Sequence, residues 1–194
     1  MTPFELRQKA RLGEFTLPTS GHCPGYTQVN IIMPAKYADD FKLFCQLNDK
    51  ACPLLDVTAS GDPIFRSLGK DVDVRTDVPS YNVYHNGVLN RHAADISDVW
   101  QDDYVAFALG CSHSFEDLLT AQGMSLRYIE RGHVVPAYVT NVKIHRSARL
   151  AATWWFPCEH LRPARQSSPS RLPKHFRKST VLLFTWEMPP TWAS

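Results

Sequence analysis

The side chains with the clearest chemical potential lie in residues 104–119, YVAFALGCSHSFEDLL, where an apolar strand pattern changes into a helix start. The short apolar run 105–109 indicates a buried strand, and Ser114 fits the N-cap of a following helix. Cys111 lies between these two elements. Because unpaired amides and the positive end of a helix dipole favour thiolates and anions, the segment predicts an anion-binding corner with a reactive thiol.

Several acid–base candidates accompany this corner. Cys111, Glu116 and Asp77 could each act as an acid or a base if burial shifts the pKa of the side chain. Backbone amides near Ser112 and Ser114 suit a bound carboxylate. A structural interpretation stays open, in which Cys111 is a small core residue, the two serines are helix caps and Glu116 complements the helix dipole.

Charged and polar side chains elsewhere could hold a substrate. Arg75 or Arg127 could supply a charged fork for a carboxylate. Three side chains in or beside a predicted strand could orient polar substrate groups: Tyr26, Gln28 and Asn30. In the structural alternative, Arg75 and Asp77 form an ion pair on one strand face, and the other three side chains form an ordinary polar strand face.

Helices and strands alternate along the part of the chain that must position these residues. Alternating polar and apolar residues predict a strand over 26–33, and Asn86-Gly87 is a hairpin signal. Helical spacing predicts a helix over 38–47, with an inward face of Phe41, Phe44 and Cys45. This alternation predicts a mixed α/β fold of layered sheets and helices, with a smaller α/β subdomain and an incomplete C-terminal part.

A weaker helical pattern covers residues 4–12. Phe4 and Leu12 lie roughly on one side of this predicted helix and Leu6 lies away from them. The pattern therefore predicts a helix without fixing its buried face.

Composition is that of an ordinary globular chain. The 194 residues are 44% hydrophobic and 21% charged, which is enough for one sizeable core. The five cysteines form no CxxC pair, the histidines show no ligand spacing, and no apolar run approaches a membrane span. We therefore expect no metal site, no membrane contact, and an intracellular location in the cytoplasm or the mitochondrial matrix; a homo-oligomer is compatible with the sequence.

The character of the chain changes near residue 146. From Lys143 onward it carries nine basic residues and only two acids, and it is rich in Pro, Ser and Trp without a helical or strand period. This pattern predicts a domain over 1–145 and a divergent basic tail over 146–194, disordered or out of frame. We expect no nucleic-acid contact, because the basic and aromatic residues form no repeated pattern.

Several segments taken together resemble one family of proteins. They include TSGHCPGYTQVNIIMP, DDFKLFCQLNDKACPLLDVTASGDP, DVDVRTDVPSYNVYHNGV and the GCSHSFE element around Cys111, and they cover residues 10–142 with few gaps. In this order they are similar to the D-glutamate cyclase family, many of whose members are named hydro-lyases. His113 departs from the family pattern, which usually carries Phe there.

The resemblance implies cyclisation of D-glutamate to 5-oxo-D-proline with loss of water, acting on a small acidic amino acid without a metal or organic cofactor. Two alternatives stay open. One is a noncatalytic domain that binds small carboxylates. The other is a cysteine-dependent hydrolase or transferase with Cys111 as the nucleophile.

The tail lacks two motifs with which the family continues, NMVVSMR and HGAPVHxGDP. Trp154 and Trp155 are both encoded by TGG, so reading 153–160 one base out of frame permits the pattern MVVSMR. The same shift over 179–188 permits HGAPVHxGD. Because one shift recovers both motifs, we hypothesise a single-base frameshift near residues 143–151.

Overall fold

The computed structural model of the chain describes residues 1–15, 26–111, 114, 127–131, 138–147, 153–156 and 182–188. Within these ranges the helices are α1 (Pro3–Arg11), α2 (Ala38–Leu47) and α3 (Arg127–Glu130), with a 3-10 turn at Ala35–Tyr37. The strands are β1 (Tyr26–Pro34), β2 (Leu54–Val57), β3 (Ile64–Phe65), β4 (Val72–Asp73), β5 (Tyr81–His85), β6 (Val88–Ala93), β7 (Tyr104–Gly110), β8 (Tyr138–Lys143), β9 (Thr153–Phe156) and β10 (Leu182–Met188).

One sheet organises the described residues. Its six strands run in the order β2-β7-β1-β10-β5-β6, and every neighbouring pair is antiparallel. The pairs β3-β4 and β8-β9 form two small separate sheets. Helices combined with antiparallel sheets confirm the predicted mixed α/β class. The tail, for which the sequence pattern predicts no regular element, contributes the backbone of β9 and β10.

The two faces of the central sheet bury different apolar clusters. Ile32 of β1 and Ala106 of β7 belong to a first cluster that also contains Tyr81. The next residue on each strand, Met33 and Phe107, belongs to a second cluster. Successive side chains of a strand point to opposite faces, so β1 and β7 are covered on both sides and lie in the middle of the core.

Helix α2 covers the second face of the sheet, and it packs through the three predicted residues. Phe41, Phe44 and Cys45 are all buried, and the Phe41 ring meets the Phe107 ring edge-on at 4.9 Å between centroids. Because i, i+3 and i+4 positions share one helix face, local spacing was sufficient to predict this contact.

The hairpin between β5 and β6 also follows the sequence signal. Asn86 and Gly87 both have positive φ, 51° and 77°, as a two-residue turn of this kind requires. The turn pairs His85 with Val88. The predicted hairpin is therefore confirmed.

Helix α1 buries the side that carries Leu6. Leu6 and Ala10 are buried, whereas Phe4 and Leu12 are exposed. The helix is fixed at its start by a capping box, in which the Thr2 hydroxyl accepts from the Glu5 amide and the Glu5 carboxylate accepts from the Thr2 amide. Arg7, on the buried side, points toward a loop 70 residues further along the chain.

Candidate functional site

The register of β1 against β7 brings two predicted site segments together. Gln28 lies opposite Gly110, and Asn30 lies opposite Ala108. Cys111 follows Gly110 directly, so its backbone lies at the end of β7 that pairs with the first residues of β1. The structure thereby joins the polar strand predicted near Tyr26 to the corner predicted at Cys111. Of Tyr26 only the backbone lies among the described atoms.

Gln28 and Asn30 form a buried pair of amides rather than a solvated strand face. Their exposed fractions are 0% and 1%, and Gln28 Nε2 donates to Asn30 Oδ1 over 2.7 Å. Burial raises the pKa of Tyr81 well above its usual value, and the Asn30 side chain opposes that rise. Three buried polar side chains therefore lie on the first face of the sheet.

The Gln28 amide oxygen has no hydrogen bond within the described residues. Gln28 Oε1 is buried and has no partner in the described part of the chain. A buried acceptor without a donor costs roughly 1–3 kcal/mol, so native structures usually satisfy such atoms with water or a ligand. Gln28 Oε1 is therefore an acceptor that an incoming N–H or O–H group could satisfy.

The end of β7 is supported from β2. The Gly110 amide donates to the Pro53 carbonyl over 2.9 Å. A Cβ placed on Gly110 would lie only 3.1 Å from Pro53 Cγ, so glycine permits this close approach. Cys111 is partly buried, and its carbonyl accepts from the Ser114 amide over 3.1 Å. Ser112 and Glu116, two further predicted site residues, lie outside the described residues.

Asp77 is held in an ion-pair cluster that fastens α1 to the loop before β5. Arg7 donates to Asp77 Oδ2 over 3.2 Å, and Arg11 donates to both carboxylate oxygens. The Asp73 amide adds a further hydrogen bond of 3.2 Å to Oδ2. Only 1% of Asp77 is exposed. Its role as an acid or a base stays a prediction, and these partners give the carboxylate a structural task.

The predicted ion pair of Arg75 has a different partner from the one expected. Arg75 Nε and a terminal nitrogen donate to the two Asp73 oxygens over 3.0 and 2.7 Å, and this hydrogen bond raises the pKa of Arg75. Arg75 and Asp77 lie in a turn, where side chains two residues apart do not share a strand face. Arg75 therefore forms a structural ion pair, as the alternative interpretation predicted, but its partner is Asp73 and not Asp77.

The structure leaves the other predicted arginine apart from this corner. Arg127 begins α3, and only its backbone lies in the described ranges. Among the described hydrogen bonds and ion pairs, none joins Arg75 to Gln28 or Cys111. The candidate site consists, in the part described, of Gln28, Asn30 and Cys111, with Tyr81 behind them.

Sequence reasoning missed Tyr81 and the two arginines that hold Asp77. Tyr81 could have been suspected because it begins an alternating strand, YNVYH, with a polar residue inward. Arg7 and Arg11 lie one helical turn apart, which indicates a shared face but gives no sign of a partner 66 to 70 residues away.

The described residues contain no group of three or more His, Cys, Asp or Glu side chains placed to hold a metal ion. No helix among them is long and apolar enough to cross a membrane.

Comparison with known proteins places this corner in a family. The fold and site define a mixed α/β protein whose polar residues gather at the junction of two central strands, and residues 105–178, which begin in β7, match the family described as D-glutamate cyclase. The chain is 51% identical over 148 residues to a protein named Putative hydro-lyase from Burkholderia cenocepacia. It is 50% identical over 148 residues to a Putative hydro-lyase from Paraburkholderia phymatum, and 47% identical over 150 residues to one from Cupriavidus taiwanensis.

These matches show the family while covering part of the relatives. They take in 76% of this chain and 58% of the first two relatives, or 77% and 56% for the third. The chain therefore spans less than two thirds of the length of the curated relatives it matches. It belongs to the D-glutamate cyclase family.

Proposed function

We propose that the site at the β1-β7 junction serves a hydro-lyase reaction on a small acidic amino acid, and specifically the cyclisation of D-glutamate to 5-oxo-D-proline and water. The observation that carries the proposal is the buried Gln28 Oε1, which has no hydrogen-bond partner among the described residues, beside the Gly110-Cys111 corner. The family match at residues 105–178 supports the reaction class.

The reaction explains why an amide acceptor would be useful here. The amine nitrogen of the substrate attacks the γ-carboxyl carbon, so a C–N bond forms and a C–O bond breaks. The oxygen leaves as water, carrying two protons that the ammonium group gives up. A fixed acceptor that binds an N–H of the substrate would hold the nitrogen against the carboxyl carbon, and such orientation contributes several kcal/mol to a ring closure.

The proton transfers need a side chain whose hydrogen-bonding capacity is not already used by other protein groups. Asp77 accepts hydrogen bonds from two arginines and a backbone amide, which makes it a poor carrier of protons to a substrate. Cys111 stands at the corner itself and is partly exposed. In the proposed mechanism, Cys111 moves the proton between nitrogen and leaving oxygen, and Gln28 positions the nitrogen.

The test compares two buried amides that have different neighbours. Gln28→Met removes the acceptor with little change in volume, and we expect the KM for D-glutamate to rise about tenfold, the equivalent of a lost hydrogen bond of ~1.4 kcal/mol. Asn48→Leu removes another buried amide, which bonds Phe44 and His145 instead, and should lower the melting temperature without changing KM. Both substitutions are made in the chain with the shifted frame restored, and the assay measures 5-oxoproline formed from D-glutamate and from L-glutamate.

The outcomes separate the candidate functions. Product formation no faster than in buffer by the chain with the shifted frame restored would refute the cyclase. Tight binding of D-glutamate in calorimetry without product would favour the carboxylate-binding domain instead.

A further inference from the structure

A pair of cysteines lies apart from the candidate site, on the second face of the sheet. Cys45 is in the last turn of α2 and is 1% exposed. Cys52 precedes β2 and packs partly buried against the same apolar cluster. Both thiols are free, and each shifts the pKa of the other. The two cysteines are therefore neighbours across one turn, packed in the same apolar cluster.

The turn that connects the two cysteines is held at its centre. The Asn48 amide donates to the Cys45 carbonyl over 3.1 Å, and the Cys52 amide donates to the Asn48 carbonyl over 2.8 Å. The Asn48 side chain exchanges hydrogen bonds of 2.9 and 2.8 Å with the His145 backbone. Because the His145 backbone anchors Asn48, the turn that carries Cys45 and Cys52 is held in place by the folded structure.

The two thiols differ in the ways that a nucleophile and a resolving thiol differ. The hydrogen bond from Cys45 lowers the pKa of Cys52. The same hydrogen bond, together with burial, raises the pKa of Cys45 above its usual range. Cys52 is also the more exposed of the two. An attacking thiol needs thiolate character and access, and Cys52 is the better placed of the two on both counts.

We propose that Cys45 and Cys52 are a reversible thiol–disulfide pair that is oxidised by small-molecule disulfides such as oxidised glutathione. The Cys52 sulfur attacks one sulfur of the oxidant, forming a mixed disulfide and releasing one glutathione thiol. The Cys45 sulfur then attacks Cys52 Sγ, gives its proton to solvent and releases the second glutathione thiol. The protein loses two protons and two electrons, and the oxidant takes up two electrons and two protons to become two glutathione thiols.

Oxidation of Cys45 and Cys52 would affect the backbone of the candidate site through Pro53. Pro53 follows Cys52 directly, accepts the Gly110 hydrogen bond of 2.9 Å and lies against Gly110. Gly110 in turn carries Cys111. A bond that fixes residue 52 therefore restricts the support on which the end of β7 rests, and we expect iodoacetamide to label Cys111 several-fold more slowly in the oxidised chain.

The decisive experiment uses peptide mapping of the wild-type chain. The folded protein is incubated with oxidised glutathione, its remaining thiols are blocked with iodoacetamide, and it is digested with trypsin without reduction. Cleavage after Lys50 puts Cys45 on peptide 43–50 and Cys52 on peptide 51–66, so only a disulfide keeps them joined. We expect this joined species as the principal cross-link and its loss on reduction.

Variants distinguish the proposed order of events. Cys45→Ala should leave glutathione attached to Cys52, because no resolving thiol remains, and Cys52→Ser should leave buried Cys45 unmodified. Cys111→Ala is the matched control and should form the cross-link as the wild type does. The proposal is overturned if the folded wild-type chain yields no 43–50/51–66 species, or if Cys52 is found joined chiefly to another cysteine. The result does not depend on the cyclase proposal, because no turnover is measured.

Discussion

At the scale of single residues, the buried carboxylate of Asp77 shows how a chemical candidate can acquire a structural task. It is 1% exposed, and Arg7 beside it is 6% exposed. Two guanidinium groups and a backbone amide surround the carboxylate. Removing one member of such a cluster leaves charge buried without compensation, which is more damaging than the loss of a surface pair.

We expect Asp77→Asn to lower the free energy of unfolding by about 3–5 kcal/mol, because the two arginines lose their shared counter-charge. Urea unfolding followed by circular dichroism measures the change. Asp98→Asn is the control, since the Asp98–Arg91 pair lies in solvent and should leave the midpoint nearly unchanged. Equal midpoints for the two variants would contradict the structural role given to the Asp77 cluster.

Cys111 provides a second test at this scale. We expect iodoacetamide to label Cys111 at a rate that D-glutamate slows several-fold, because a ligand bound at the β1-β7 junction covers the thiol. Succinamide, a neutral molecule of similar size, is the control and should not protect. If Cys111→Ser, made in the chain with the shifted frame restored, cyclises D-glutamate as fast as that chain itself, the thiol has no part in proton transfer, even when protection is observed.

At the scale of elements, local pattern was a good guide to where strands and helices lie and a poor guide to which of them meet. The strand predicted over 26–33 is β1, the apolar run 105–109 is the centre of β7, and the helix predicted over 38–47 has those bounds in the structure. Each of these predictions rests on the spacing of apolar residues within the segment itself. The pairing of Gln28 with Gly110 joins residues 82 positions apart, and no local period encodes such a contact.

The same limit explains the site. The Asn-Gly turn was predictable because two adjacent residues define it. The partner of Asp77 was not, because Arg7 and Arg11 come from another element. The burial of Gln28 and Asn30 was not predictable for a similar reason, since burial of that face depends on residues brought in from β5 and the loops before it.

Turn glycines offer a matched pair of substitutions. Gly13 and Gly61 both have positive φ, 70° and 78°. A Cβ on Gly13 would have nothing within 4 Å, whereas one on Gly61 would lie 2.7 Å from the Asp102 backbone oxygen. We expect Gly13→Ala to cost about 1 kcal/mol for backbone conformation alone. Gly61→Ala should cost roughly 1–3 kcal/mol more, because the Asp102 backbone must move.

Denaturant titration of the two variants measures the difference between them. The turn at Gly61 is held by a hydrogen bond of 2.8 Å from its amide to the Tyr104 carbonyl, so a shift there would reach the start of β7. Similar losses for both variants would show that the turn relaxes without strain.

At the scale of the whole molecule, the reading frame of the tail determines which residues of β10 lie next to Gln28 and Asn30. Strand β10 lies between β1 and β5, with residue 186 opposite Gln28 and residue 184 opposite Asn30. Residues 179–188, which include β10, are those for which the shifted frame permits HGAPVHxGD. The hypothesis therefore predicts a histidine and an aspartate in the strand next to the candidate site.

We expect a chain with the shifted frame restored to melt at a higher temperature and to cyclise D-glutamate faster than the chain as written, which should be weakly stable and inactive. Scanning calorimetry and the 5-oxoproline assay, run on both chains in parallel, measure these differences. A Gln28→Met version of the restored chain is the control for activity at this site. A genomic read that confirms the present frame, with cooperative melting and full activity of the present chain, would remove the hypothesis.

The place of β10 in the sheet has a consequence for synthesis. Strand β1 leaves the ribosome early, yet one of its two neighbours consists of residues 182–188. Until those residues emerge, β1 and β5 each carry an open edge, and open edges invite pairing with other chains. The central sheet can therefore form completely only after most of the chain has been translated. A nascent chain that stalls before residue 182 exposes the unpaired edges of β1 and β5, which can pair with other chains or bind chaperones.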